Sequence, residues 1–199
     1  MKIFATCALV LSLAFICYSS GAQRLKLTDG SLSVLKDEQS INTEFTYDNM
    51  KVGKFDREED YVRTKIADYN KKEAGKGDTW AKNWVADRQS RFEPKFNELL
   101  EKSSDMSVNR KKESKYTLIF KTSFTEPGFN IGIMRKNAEM NGEAWIVETA
   151  NRNNVIARIS VQKALGRTFG GYDFDTGERI SETYADAAKA LGNFIKKQS

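Results

Sequence analysis

Three runs with strand-like patterns crowd together in the second half of the chain, and they limit the fold more than any other feature. The first, Tyr116–Phe124, alternates apolar and polar side chains as a strand with one buried face does. The other two, Ala144–Ala150 and Asn154–Val161, are joined by the short polar link Asn151–Asn154, which suits a β-hairpin. The stretch therefore predicts a sheet, and the rest of the chain has to cover its apolar face.

Three helices are predicted from capping sequences and from apolar residues at helical spacing. One begins at the capping-box pattern Asp56–Glu59 and ends in the glycine-containing segment 71–77. A second runs over residues 80–102, and Pro94 predicts a kink or a new helix start within it because proline lacks the amide hydrogen. The last helix follows a further capping box, Asp175–Glu178.

Shorter patterns fill the rest of the chain. Gln23–Gly30 is expected to be a polar tether, and Ser31–Lys36 and Glu44–Asp48 are expected to be two short strands. Asn141–Gly142 is the favoured pair for a tight turn, so Ala138–Met140 should pair back onto the strand that follows it.

The resulting order of elements is β-β-α-α-β-β-β-α, with helices grouped rather than alternating with strands. That order predicts an α+β fold, a mixed and mostly antiparallel sheet covered on one face by helices. No change of composition within residues 31–199 marks a boundary, so residues 23–199 are expected to form a single domain.

The N-terminus has the pattern of a secretory signal peptide. A basic start, Met1–Lys2, precedes the apolar run Ile3–Cys17, which is too short to span a bilayer, and small residues follow in Ser20–Ala22. Residues 1–22 are therefore expected to be removed and the chain exported to the periplasm or the cell surface. A membrane anchor or a buried N-terminal helix is the alternative. Lipidation would need a small residue just before Cys17, and an isoleucine stands there.

Residue usage excludes several kinds of chemistry. Cys7 and Cys17 both lie in the signal peptide and the chain contains no histidine, so the exported form has no thiol nucleophile, no disulfide and no imidazole base. A calcium loop that began at Asp173 would need an acidic twelfth residue, and that residue is Tyr184. Neither a cofactor nor a metal site is therefore expected.

Two patterns in the sequence are found in enzymes. Ser33–Lys36 and Ser160–Lys163 match Ser-x-x-Lys, but that chemistry needs a helix, and both matches fall on predicted strands where the two side chains face opposite sides. Glu178 and Glu182 lie one helical turn apart and keep a carboxylate-based hydrolase of envelope glycans as an alternative function. A solvated helix face explains the same pair more simply.

The best candidate for partner binding is the glycine-rich and aromatic-rich loop predicted at Leu165–Gly177. It carries Arg167, Phe169 and Tyr172, which are residue types that contribute strongly to binding when a rigid scaffold holds them. An ordinary long connection is the alternative reading of this loop.

Other candidate surfaces are weaker. Trp80, Trp84 and Trp145 are spaced as core residues rather than as the lining of a ligand groove. The basic triplet Arg110–Lys112 has no interleaved aromatic residues, and export separates the chain from nucleic acid, so no nucleic-acid partner is expected. No second apolar run is long enough for a transmembrane segment.

Three segments, Thr125–Phe129, Ala138–Ile146 and Gly177–Lys196, resemble a family of small exported bacterial envelope proteins of unassigned function. More distantly, the layout is similar to periplasmic accessory domains, namely the N-terminal domain of the Tol-system propeller protein and the lipoprotein activators of peptidoglycan synthases. Those proteins bind partners rather than catalyse, so the resemblance implies a binding or assembly role. It supplies no functional residues, and the helical region 56–102 departs from it.

These patterns predict an exported, non-catalytic binding or assembly module of a Gram-negative envelope, with an envelope protein or glycan as its partner. Such a module should expose an apolar or aromatic patch. A hydrolase should instead place two carboxyl groups opposite each other across a cleft.

Overall fold

The computed structural model describes residues 23–109, 114–166 and 175–199, so the predicted signal peptide at 1–22 lies outside the described residues. The helices are α1 (Glu58–Asn70), α2 (Lys76–Asp87), α3 (Glu93–Ser104) and α4 (Thr176–Gln198), with a 3₁₀ turn at Ser33–Leu35 and a π-helical turn at Arg88–Phe92. The strands are β1 (Arg24–Gly30), β2 (Ser40–Thr46), β3 (Lys51–Val52), β4 (Ser107–Val108), β5 (Tyr116–Glu126), β6 (Phe129–Asn130), β7 (Arg135–Lys136), β8 (Ala138–Glu148) and β9 (Val155–Gly166).

Seven strands form one mixed sheet, as the α+β prediction requires. Its order is β1-β9-β8-β5-β2-β4, with β3 also paired to β5. β1, β9, β8 and β5 are antiparallel neighbours, whereas β2 and β3 run parallel to β5 and β4 runs parallel to β2. The predicted hairpin through Asn151–Asn154 is confirmed, since β8 and β9 pair from Ala138 opposite Gly166 to Val147 opposite Val155.

The helices cover one face of this sheet and bury its apolar side chains. α3 and α4 pack against each other, and α4 contacts β8 and β9. Phe120 of β5 sits between the rings of Phe96 and Tyr184, with centroid distances of 4.9 and 6.0 Å. The fully buried side chains of this core include Leu118, Phe120, Ile146, Ile159, Ile180 and Leu191.

The kink predicted at Pro94 takes the form of a π-helical turn. α2 runs into Arg88–Phe92 and then into α3, with Pro94 in the first turn of α3, where the missing amide hydrogen costs little. The cap predicted for the last helix is confirmed, because the Asp175 carboxylate accepts a 3.0 Å hydrogen bond from the amide of Glu178. The cap predicted at Asp56 is wrong: α1 begins at Glu58, and Asp56 pairs with Lys51 instead.

Three local predictions are wrong, and in two of them pairing with a strand distant in the sequence decides the structure. Residues 24–30 are not a tether but the edge strand β1, which pairs with β9 while Leu25 and Leu27 pack on the core. Residues 33–35 form a 3₁₀ turn rather than a strand. The Asn141–Gly142 pair is not a turn and lies within β8. An added Cβ at Gly142 would stand 2.6 Å from the carbonyl oxygen of Lys121, so glycine permits close strand pairing there.

Trp145 is not a core residue, contrary to the expectation from its spacing. Its neighbours Ala144 and Ile146 are buried under the helices, so the alternation of side chains along β8 directs Trp145 to the other face. There the Lys121 ammonium lies 3.2 Å from the centre of the indole ring and the Arg158 guanidinium 4.5 Å from it. Two cationic side chains therefore lie against the indole ring of Trp145, on the sheet face away from the core.

Candidate binding surface

Four of the six large apolar side chains that are exposed in the described residues lie in the connection between β5 and β8. Phe129 is 40 % exposed, Ile131 58 %, Ile133 91 % and Met134 56 %. Val34 and Val85, the other large exposed apolar residues of the described chain, stand apart from this group. A single exposed apolar side chain is ordinary, but four within six residues mark an interaction surface.

These side chains belong to a small β-hairpin, Phe129–Lys136, which we call the apolar hairpin. β6 and β7 pair with Phe129 opposite Lys136 and Asn130 opposite Arg135. The turn is closed by a 3.1 Å hydrogen bond from the amide of Ile131 to the carbonyl of Met134. At Gly132, where φ is 82°, an added Cβ would meet no atom within 4 Å, so the turn projects into open space.

A buried arginine fixes the base of the apolar hairpin to α4. Arg179 is only 3 % exposed. Its guanidinium donates to the carbonyl oxygens of Pro127 at 3.1 Å and Gly128 at 3.3 Å, and to the hydroxyl of Thr176 at 2.9 Å. Because a buried charge needs hydrogen-bond partners, these bonds fix the position of the segment that enters the hairpin.

Two further contacts hold the same base. Glu126 accepts a 3.1 Å hydrogen bond from the amide of Gly128 and pairs at 2.7 Å with Lys136. Gly128 has a φ of 63°, in the left-handed region that favours glycine, and an added Cβ would stand 2.4 Å from the carbonyl oxygen of Lys136. The exposed tip is therefore held on an ordered base.

A shallow cleft of about 450 Å³ lies beside this base, between the hairpin and α1. The charged side chains in its lining are Lys54, Lys65, Lys136, Asp68 and Glu126. Three lysines against two carboxylates give the cleft a positive balance. Lys54 lies 5.6 Å from the ring centre of Phe55 and forms no ion pair with a carboxylate in the described parts of the chain.

Asp87 and Asp175 form a carboxylate pair with pKa values shifted in opposite directions. Burial raises the pKa of Asp87 although Arg91 opposes that change. Burial also acts to raise the pKa of Asp175, but hydrogen bonds from the Glu178 amide and the charge of Arg91 outweigh it, so this pKa is lowered. Arg91 bridges both carboxylates, at 3.1 and 2.8 Å. This arrangement ties the start of α4 to the α2–α3 helix.

A network of aromatic and charged side chains joins α1, α2 and the π-helical turn. The indole of Trp84 and the guanidinium of Arg88 both donate to Glu58, and Arg88 also lies 4.2 Å from the ring centre of Tyr47. Trp84 is buried and Trp80 stacks on it with ring centres 5.6 Å apart. The tryptophan pair of α2 is thus packed as the sequence predicts, and the network is structural.

The binding residues predicted from the sequence, Arg167, Phe169 and Tyr172, lie outside the described residues, as do Asp173 and the basic triplet at 110–112. Gly166, at the end of β9, lies against Arg179, since an added Cβ at Gly166 would stand 2.1 Å from the Arg179 carbonyl oxygen. The end of β9 therefore lies beside the backbone of the arginine that holds the apolar hairpin.

The structure changes the setting of one of the two Ser-x-x-Lys matches. Ser33–Lys36 lies on a 3₁₀ turn, so the argument from strand geometry against a Ser-x-x-Lys site does not apply there. The Ser33 hydroxyl accepts a 3.0 Å hydrogen bond from the hydroxyl of Ser31.

The apolar hairpin was not predicted from the sequence. Its signal was the alternation of Phe129, Ile131 and Ile133 around Gly132, which resembles an ordinary half-buried strand.

No family model matches the chain, and no curated protein matches it. Among solved structures, it is similar to the PelC dodecamer from Paraburkholderia phytofirmans in space group P6, with a TM-score of 0.43 and 8 % identity over 88 % of this chain and 98 % of that one. A single-substitution variant of the same dodecamer in space group C2 gives a TM-score of 0.41 and 7 % identity over the same shares. Similarity at this level carries no inference about function.

Proposed function

We propose that this chain is an exported, non-catalytic binding or assembly module of the bacterial envelope and that the apolar hairpin is its contact surface. The observation that carries the proposal is the exposure of Phe129, Ile131, Ile133 and Met134 on one hairpin. Leaving this apolar area in water is unfavourable, and a partner that covers it would remove that cost.

The ordered base of the apolar hairpin supports this role. Arg179 and Glu126 already fix the chain on both sides of the turn, so binding does not have to order it. A surface held in its bound conformation loses less conformational entropy on association and binds more tightly for the same contact area. In the described residues no helix is both long and apolar enough to cross a membrane.

The test is site-specific photo-crosslinking in the native envelope. A photoreactive amino acid replaces Ile133, which is the most exposed apolar residue of the turn, and in a matched variant it replaces Val85, which is 54 % exposed on α2. We expect defined adducts from position 133 and none from position 85. Equal labelling at the two positions, or none at 133, would refute the assignment of the contact surface.

A further inference from the structure

We propose that the apolar hairpin inserts its turn into the interfacial layer of an anionic lipid membrane, with the cations at its base facing the headgroups. This rests on the proposed binding role of the hairpin and names the class of its partner.

The chemistry of the tip favours lipid over a glycan. Ile131, Gly132, Ile133 and Met134 follow one another with no polar side chain between them. A glycan is held through hydrogen bonds to its hydroxyl groups, and these side chains donate none. The surroundings of Gly132 are open, so the turn is a projection rather than a groove that could enclose a partner.

The backbone of the turn is suited to an apolar environment. The amides of Ile131 and Ile133 donate to the carbonyls of Met134 and Ile131, both at 3.1 Å. The amide of Gly132 donates to the Asn130 side chain at 2.9 Å. Entering the interface therefore leaves these three donors hydrogen-bonded, which lowers the penalty for placing a loop among lipids.

The base of the apolar hairpin supplies charge of the sign that anionic lipids attract. Arg135 and Lys136 directly follow the apolar turn and both are exposed, with Lys136 in an ion pair with Glu126. Lys54 lies in the adjoining cleft without a carboxylate ion pair among the described residues. Apolar side chains at the tip and cations behind them match the order of layers in a membrane interface, where insertion and electrostatic attraction act together.

The experiment measures co-sedimentation of the mature protein with vesicles rich in phosphatidylglycerol and with vesicles of phosphatidylcholine alone. We expect binding to the anionic vesicles that falls as salt is raised. Replacing Ile131 and Ile133 with serine together should lower the partition constant by roughly a hundredfold, since each buried isoleucine contributes on the order of tenfold. Lys54→Gln should lower it about fivefold. The matched control Val85→Ser should not change it.

Folding does not confound this test, because the substituted side chains are exposed and their replacement should leave the melting temperature unchanged. If the unsubstituted protein stays in solution with anionic vesicles, or if the double variant binds them as well, the lipid inference is overturned. Protein adducts from position 133 in the crosslinking experiment would then show that the hairpin still binds a partner and that the partner is a protein. Failure of both experiments would overturn the binding role itself.

Discussion

Replacing Arg179 with methionine should destabilise the whole domain and loosen the apolar hairpin. Methionine keeps the apolar stem of the side chain but removes the three hydrogen bonds to Pro127, Gly128 and Thr176. A hydrogen bond to a charged group contributes about 1.5–3 kcal/mol, and the carbonyls of buried Pro127 and half-buried Gly128 would lose this donor. The substitution also removes the cost of burying the charged guanidinium. The net loss of stability is therefore smaller than the sum of the hydrogen-bond contributions and amounts to about 2–4 kcal/mol.

For a domain of this size, a loss of that magnitude lowers the melting temperature by about 5–15 °C. Urea unfolding followed by circular dichroism measures the change in the free energy of unfolding of the whole domain. Amide hydrogen exchange measures the local effect. The substitution should speed exchange at the amides of Gly128 and Ile131 more than at those of β8, because the hairpin segment loses its attachment to α4.

Arg24→Met is the matched control, since it makes the same change on an exposed side chain of the edge strand and should leave both measurements unchanged. An Arg179→Met protein with an unaltered melting temperature and unaltered exchange at Gly128 would refute the reasoning. It would mean that backbone pairing alone holds the hairpin in place.

Three further predictions concern the core, the acid stability and the processing of the chain. Phe120→Ala should cost about 3–5 kcal/mol in urea unfolding because Phe120 is fully buried, whereas Trp145→Ala on the opposite face should cost clearly less. The pKa of Asp175 is lowered in the folded state, so its contribution to stability is present above the ordinary value of 3.8 and is lost as the pH falls below it; Asp175→Asn should flatten the pH dependence of the melting temperature there. Intact mass should show a mature chain that begins at Gln23 and carries no lipid, with a melting temperature indifferent to reductant and EDTA; a diacylglycerol on Cys17 would contradict this.

Local patterns were sufficient for the long elements of the fold. Alternation placed β5, the capping sequence at Asp175 placed the start of α4, and Pro94 placed the break in the second helix. Each of these signals acts within a few residues, so it is present in the sequence before any tertiary contact forms. The order of the long elements, and hence the α+β class, follows from them.

Pairing partners distant in sequence decided the rest. Residues 24–30 become a strand only because β9 offers a free edge, and Gly142 lies in a strand rather than a turn because β5 approaches it closely. Likewise, the sequence around Ile131 and Ile133 alternates as a half-buried strand does, and nothing local shows that no layer covers it. Its exposure depends on where Arg179 holds the hairpin base. Arg179 is 48 residues along the chain from Ile131, so that position exists only in the folded domain. Burial is a property of the whole chain, so the candidate binding surface could be located only in the tertiary structure.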